Sequence, residues 1–287
     1  MLRPALITAA LAAAVACSSH RAPQSHTVHA PEPAAPIVVP PTNAIVASPT
    51  ETVTPAPRPQ PAIDTRLTRL QAIAPDLDPG VLALALQARE CASRSGTKPG
   101  DKLAVIDYSR PSTQPRLWVF DVERARLLHR EHVAHGRGSG ENHARAFSNR
   151  DGSHQTSLGL FTTAETYVGG NGYSLRMDGL DAGVNDAARD RLIVMHGAPY
   201  VDPAQAQRQG RLGRSYGCPA VRPEVARQMI DTLKHGQMLF AYYPDDAWLS
   251  GSRHFRCSGR NGREIYASAR QAIPGGGGSA STAAAAQ

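Results

Sequence analysis

Aromatic residues are scarce in this chain. They make up 5% of its 287 residues, with two tryptophans, five phenylalanines and eight tyrosines. The formal net charge of +7 would by itself suit a nucleic-acid partner. Such binding needs aromatic platforms for single strands or a concentrated basic stripe for duplexes. No basic helix with interleaved aromatics occurs, so no nucleic-acid partner is expected. Metal-ligating clusters are also missing. His20, His26 and His29 have no carboxylate or cysteine companions. His129, His132 and His135 lie on a predicted strand, where residues three apart face opposite ways. The glycine-rich stretch 136–140 lacks the lysine-threonine pair and apolar helix of a phosphate loop. No metal is therefore expected. Cysteine is limited to positions 17, 91, 218 and 257.

Proline and glycine are plentiful, 23 and 25 residues, and cluster toward the ends. The folded part is therefore much shorter than the chain. Residues 1–16 combine Arg3, an apolar run at 5–15 and the small residues Ala14-Val15-Ala16, which read as a signal peptide. The run is too short to remain as a membrane span. Cys17 follows at once and is expected to carry lipid, making the protein an exported lipoprotein held at the outer membrane. Ordinary cleavage to a soluble periplasmic protein fits the same small residues. Residues 17–62 are a Pro/Ala-rich linker without usable periodicity, expected to be disordered. Residues 63–101 read as helical: Leu67, Leu70 and Ile73 recur at helical spacing, and Asp78-Pro79 opens a second helix. Residues 247–287 form a basic tail with five arginines and one glutamate, expected to be low-complexity and solvated.

Between these flanks, residues 102–246 carry 18 Lys+Arg against 16 Asp+Glu and are nearly neutral. Apolar runs at 103–106, 117–120, 127–134, 158–168 and 237–243 read as strands. Residues 169–185 read as a glycine-rich loop, and residues 141–156 as a long polar loop able to wall a substrate site. The expected fold is mainly β, a sandwich or open barrel with a few peripheral helices, and a monomer is expected.

The stretch 191–221 organises the rest. Leu192 to Met195 reads as a buried strand ending in His196. A short helix follows, with Asp202 as N-cap, Pro203 at its first position and Gly210 as its stop. The chain then reaches Ser215-Tyr216-Gly217-Cys218. A cysteine between Gly217 and Pro219 is placed unlike a core residue. Its thiolate is the attacking species, so it needs a base or positive surroundings. His196 can be the base. Arg208, Arg211, Arg214 and Arg222 offer charge, and the Gly217 and Cys218 amides can form an oxyanion hole.

The order His196-Gly197, spacer, Ser215-x-Gly217-Cys218 resembles the signature of the YkuD-type L,D-transpeptidases of bacterial cell walls. It most resembles the murein L,D-transpeptidase catalytic-domain branch through Gly213 to Val221. Similar stretches lie at 133–140, 147–149, 157–159 and 172–175. The resemblance implies acyl transfer on peptidoglycan stem peptides without a cofactor, with Cys218 as nucleophile, His196 as base, and Ser215 and Gly217 completing the site. Ser215 or the Gly197 carbonyl would orient His196. His135, Arg137, Asn149, Tyr173, Arg214, Tyr216 and Arg222 are implied in substrate binding. Two positions depart from the wider superfamily: Tyr216 stands where a second histidine is usual, and Ala220 where an arginine is usual. Arg222 is the expected replacement for that charge. An L,D-carboxypeptidase, another wall cysteine peptidase and a non-catalytic wall-binding lipoprotein are the alternatives. With Cys17 and Cys218 assigned, Cys91 and Cys257 are left to pair. The alternative is a buried Cys91 and a loose tail thiol at Cys257.

Overall fold

The computed structural model describes residues 62–274. The signal peptide, Cys17 and nearly all of the linker lie outside the described residues. The strands are β1 (Lys102–Asp107), β2 (Leu117–Asp121), β3 (Arg126–Glu131), β4 (Gly159–Gly169), β5 (Gly172–Gly179), β6 (Val194–Gly197), β7 (Ala220–Val221) and β8 (Met238–Tyr242). The helices are α1 (Ala62–Ile73), α2 (Pro79–Arg94), α3 (Pro203–Gln209), α4 (Pro223–Leu233), α5 (Asp246–Gly251), α6 (Arg253–Arg256) and α7 (Gly262–Ala272).

The eight strands form one sheet in the order β3-β2-β1-β8-β4-β5-β6-β7. The β1–β8 and β6–β7 pairs are parallel, and the other neighbours are antiparallel. Ala134, just past β3, makes an antiparallel bridge to Ala220 in β7. The two ends of the sheet thereby meet, and the sheet is nearly closed. This is the mainly β architecture expected from the sequence.

Side-chain alternation explains which face each strand residue serves. Leu103, Val105, Trp118, Phe120, Met238 and Phe240 pack outward against α2 and its neighbours. Ala104, Ile106, Leu117, Val119, Leu239 and Ala241 pack on the other face, in the cluster that includes Met229, Ile230 and Leu233 of α4. Both faces of β1, β2 and β8 are covered, so these strands read as unbroken apolar runs. Helix α2 starts where Asp78 Oδ1 accepts the Gly80 N–H at 2.8 Å, with Pro79 in the first turn. It is apolar on nearly every side because the sheet, α1, α6 and α7 surround it.

Two expectations are corrected. Residues 169–185 are not a loop throughout, because β5 runs through them. Its Ser174, Leu175 and Met177 are buried, while Gly172 and Tyr173 at its start mimic loop composition. The tail from 247 is not a solvated low-complexity segment as far as residue 274, because it forms most of α5 and all of α6 and α7. Trp248, Leu249, Phe255 and Ile265 are buried against the outer cluster, and α7 opens with a full capping box between Asn261 and Glu264. Burying a large apolar side chain is worth about 1.5–3 kcal/mol, whereas neighbouring like charges on an exposed face cost about 0.2–0.5 kcal/mol. The apolar minority therefore outweighs the arginines that dominate the tail's composition.

Cys91 of α2 and Cys257, just after α6, are joined by a disulfide, with Cα atoms 5.4 Å apart and a sequence separation of 166. Closing so long a loop is worth about 5 kcal/mol in the chain-entropy account. Non-reducing peptide mapping should recover the Cys91–Cys257 cross-linked pair. The double variant Cys91→Ser/Cys257→Ser should unfold at markedly lower urea concentration. Unchanged urea midpoints would show that the bond does not hold the tail helices in place.

Candidate active site

Strand register brings His196 and Cys218 to one end of the sheet. His196 lies opposite Ala220 across the parallel β6–β7 pair, two residues beyond Cys218. The Val194 N–H lies 3.5 Å from Cys218 Sγ, and the thiol donates to the Leu192 carbonyl at 3.7 Å. Cys218 is buried, 8% exposed. Burial pushes its thiol up, opposed by the Val194 N–H and by the charge of Arg191. His196 is also buried, and that lowers its pKa below the ordinary histidine value. Its Nδ1 lies 3.0 Å from the Gly197 carbonyl. A carbonyl only accepts, so Nδ1 carries the proton and Nε2 keeps its lone pair. The resting pair is therefore a neutral thiol and a neutral imidazole with its basic nitrogen free.

The cysteine turn is tied from beneath. Ser215 Oγ donates to the Cys218 carbonyl at 2.7 Å and accepts the Gly217 N–H at 3.1 Å. Ser215 thus shapes the turn, and the Gly197 carbonyl orients His196. The Gly217 amide, expected in an oxyanion hole, is taken by Ser215, which leaves the Cys218 amide as the donor of that pair. Thr156 Oγ1 donates to the Gly217 carbonyl at 3.2 Å and accepts the Gly136 N–H at 2.9 Å. Gly217 has φ +127°, and a Cβ there would lie 2.8 Å from the Gln155 carbonyl oxygen. A Cβ on Gly136 would lie 2.8 Å from the Gly217 Cα. Three backbone segments meet at the turn, and glycine is what allows the approach.

The residues expected to bind substrate divide into two groups. Arg137 and Tyr216 come together on the surface: the guanidinium lies 4.5 Å from the Tyr216 ring centroid, and His154 packs on the same ring at 4.7 Å. The others are committed within the protein. His135 is fully buried, and its Nδ1 accepts from Arg116 at 2.7 Å, so Nε2–H faces the Gly140 carbonyl at 3.3 Å. Burial, and then the Arg116 charge, hold its pKa down at about 3. Asn149 uses both ends of its amide, on Asp186 and on the Ala187 N–H. Tyr173 bonds Asp231 of α4. It faces away from His196, whose cross-strand partner is Ser174. Arg214 holds the Gly140 carbonyl and Glu141, and Arg211 pairs with Glu141 as well. Arg222 forms a forked pair with Glu131, its nearest contacts 2.8 and 3.0 Å, so its charge is not available to Cys218.

The L,D-transpeptidase catalytic domain model matches residues 73–242. The chain belongs to that family. No curated protein matches it. Similar solved structures include an L,D-transpeptidase from Mycobacterium smegmatis, 15% identical with TM-score 0.31, covering 50% of this chain and 59% of that one. L,D-transpeptidase 1 from Mycobacterium tuberculosis is 14% identical with TM-score 0.27, covering 50% and 62%. An L,D-transpeptidase from Stackebrandtia nassauensis is 13% identical with TM-score 0.31, covering 63% and 77%. This chain spans less than two thirds of the two mycobacterial chains.

In this L,D-transpeptidase domain the arginine that acts on the thiol is Arg191, which the sequence reading passed over. It donates to the Ser148 carbonyl and Ser157 Oγ at 2.6 Å each, to the Gln155 carbonyl at 2.8 Å and to Ser153 Oγ at 3.2 Å. None of these acceptors is a carboxylate, and Asp151 acts on the guanidinium through space without a hydrogen bond. The only sequence signal was its position at the head of the His196 strand. Arg191→Met should shift the pH profile of Cys218 alkylation by iodoacetamide to higher pH, and Arg191→Lys should move it less. An unmoved profile in Arg191→Met would show that this charge does not reach the thiol.

Proposed function

We propose that the protein is a cysteine-dependent L,D-transpeptidase acting on peptidoglycan stem peptides through a thioacyl-enzyme. The observation that carries this reading is the tautomer of His196. Its protonated Nδ1 is anchored on the Gly197 carbonyl, so Nε2 is a free base at the sheet end that also carries Cys218. His196 Nε2 takes the thiol proton as Cys218 Sγ attacks the carbonyl joining the third-position diamino acid to D-alanine. The oxyanion that forms is met by the Cys218 N–H. The C–N bond then breaks, and D-alanine leaves with the proton held by the imidazolium. An amine of a second stem attacks the thioester and restores the thiol. Water as the acceptor gives the L,D-carboxypeptidase outcome instead.

Arg137 supplies an exposed cation at the rim, held over Tyr216, and is suited to a carboxylate of the stem. Tyr216 fills the place of the superfamily's second histidine as a platform for this arginine. Lipidation at Cys17, with the linker giving reach toward the wall, remains part of the proposal. Its test is whether Cys17→Ser releases the protein from the membrane fraction.

Mass spectrometry of muropeptides after incubation with the purified protein tests the chemistry. The expected products are loss of D-alanine from tetrapeptide stems and cross-links between third-position residues. Cys218→Ala should abolish both while staying folded. His196→Ala should slow turnover by about 100- to 10,000-fold, the usual worth of general-base assistance. Full activity in Cys218→Ala would end the proposal. Arg137→Ala should raise KM more than it lowers kcat, because the arginine lies at the rim rather than at the reacting bond.

A further inference from the structure

The rim of the cysteine turn holds a histidine that the proposed acyl transfer does not use. His154 Nδ1 accepts from Arg137 twice, from Nε at 3.2 Å and from Nη2 at 3.1 Å. A guanidinium only donates, so this nitrogen carries a lone pair. The same histidine ring packs on Tyr216 with centroids 4.7 Å apart, and the Arg137 guanidinium lies 4.5 Å from the tyrosine centroid. Each of the three side chains thus touches the other two. Tyr216 precedes Cys218 by two residues, and the Arg137 N–H bonds the Ser215 carbonyl at 2.7 Å.

Two features set His154 apart from an ordinary loop residue. Its φ is +53°, a conformation that glycine adopts without steric cost. The same loop uses glycine in this way at Gly152, φ +68°, where a Cβ would meet nothing within 4 Å. A side chain kept in such a conformation points to a use for it. The backbone around it is also fixed. Its carbonyl accepts the Gly138 N–H at 2.9 Å. Arg191 bonds Ser153 Oγ and the Gln155 carbonyl, on either side of it. The acceptor for Arg137 therefore sits on a rigid mount. The partners of Arg137 are a ring face and a ring nitrogen, whereas Arg211, Arg214 and Arg222 each pair with a carboxylate.

We propose that His154 is a positioning residue for substrate capture. It holds the Arg137 guanidinium over Tyr216, so that the remaining N–H donors are set for a carboxylate of the stem peptide before the peptide arrives. Arginine is a long side chain, and this one lies on an exposed turn. Fixing such a chain in advance removes an ordering cost that binding would otherwise carry. His154 acts through Arg137 and needs no contact with the substrate. This role rests on the proposed action on stem peptides.

The test is the kinetics of D-alanine release from a tetrapeptide stem by the intact protein. His154→Gly suits the backbone at least as well and removes the acceptor. It should raise KM about 3- to 10-fold, the worth of one to two hydrogen bonds, and change kcat far less. His154→Asn keeps an acceptor near the Nδ1 position and tolerates positive φ, so it should bring KM back close to that of the unsubstituted protein. In His154→Gly/Arg137→Ala, KM should match that of Arg137→Ala alone, as for two residues acting as one unit. A purely structural role predicts a harmless glycine. An unchanged KM in His154→Gly, no recovery in His154→Asn, or additive effects in the double variant each overturn the inference. Titration of the tetrapeptide into Cys218→Ala, with and without His154→Gly, separates this role from the reading beneath it. Binding weakened by His154→Gly, with no turnover by the unsubstituted protein, would sink the transpeptidase proposal and leave the positioning role standing. Turnover together with binding that His154→Gly leaves unchanged would sink the positioning role alone. Neither binding nor turnover would sink both.

Discussion

The double pairing of Ala220 is the constraint on which the site depends. This residue bonds in parallel with His196 and forms a bridge with Ala134. A strand only two residues long therefore fastens both ends of the sheet and fixes where the preceding cysteine turn must lie. The pairing also accounts for a departure from the superfamily. Ala220 is fully buried in a small cluster with Ala134, Ala198, Val201, Ala206 and Leu212. A guanidinium there would lose water among apolar neighbours, a penalty of several kcal/mol per ion. Arg191, which is not part of that cluster, is the charge that lowers the Cys218 pKa.

Below the site, a buried cation does structural work without a carboxylate. Arg116 is fully buried and donates to the carbonyls of Val133 and Arg110 and to His135 Nδ1. Burial lowers its pKa to about 10, which still leaves it charged at neutral pH. That charge is one reason His135 stays neutral, and neutrality lets its ring accept on one side and donate to the Gly140 carbonyl on the other. The His135 backbone carbonyl meanwhile accepts the Ser215 N–H. A conspicuous histidine-glycine motif thus acts as a brace behind the cysteine turn rather than as a surface for ligands.

What the sequence made legible was local. Asp78-Pro79 and Asp202-Pro203 announce helix starts through side-chain caps, and both are observed. The run ending in His196 announces a strand, and Gly217-Cys218 announces a tight turn. What escaped the reading depends on partners far away in the chain. Arg222 looked free until Glu131, 91 residues away, took its charge. Asn149 looked like a ligand-facing amide until Asp186 and Ala187 claimed it. The tail looked solvated because its arginines dominate composition, while the few apolar residues that decide its fate find cover only once α2 is in place. Arg191 was missed because nothing in its neighbours' identity shows that four acceptors from a distant loop would gather around it.

The Cys91–Cys257 bond encloses all eight strands, since β1 begins after the first cysteine and β8 ends before the second. Topologically, the sheet is part of a covalent ring. One peptide-bond cut in any loop between the two cysteines opens that ring into a single branched molecule and does not divide it. The His196 and Cys218 segments would remain on one covalent framework after such a nick, and only a second cut or a reductant would let a piece diffuse away.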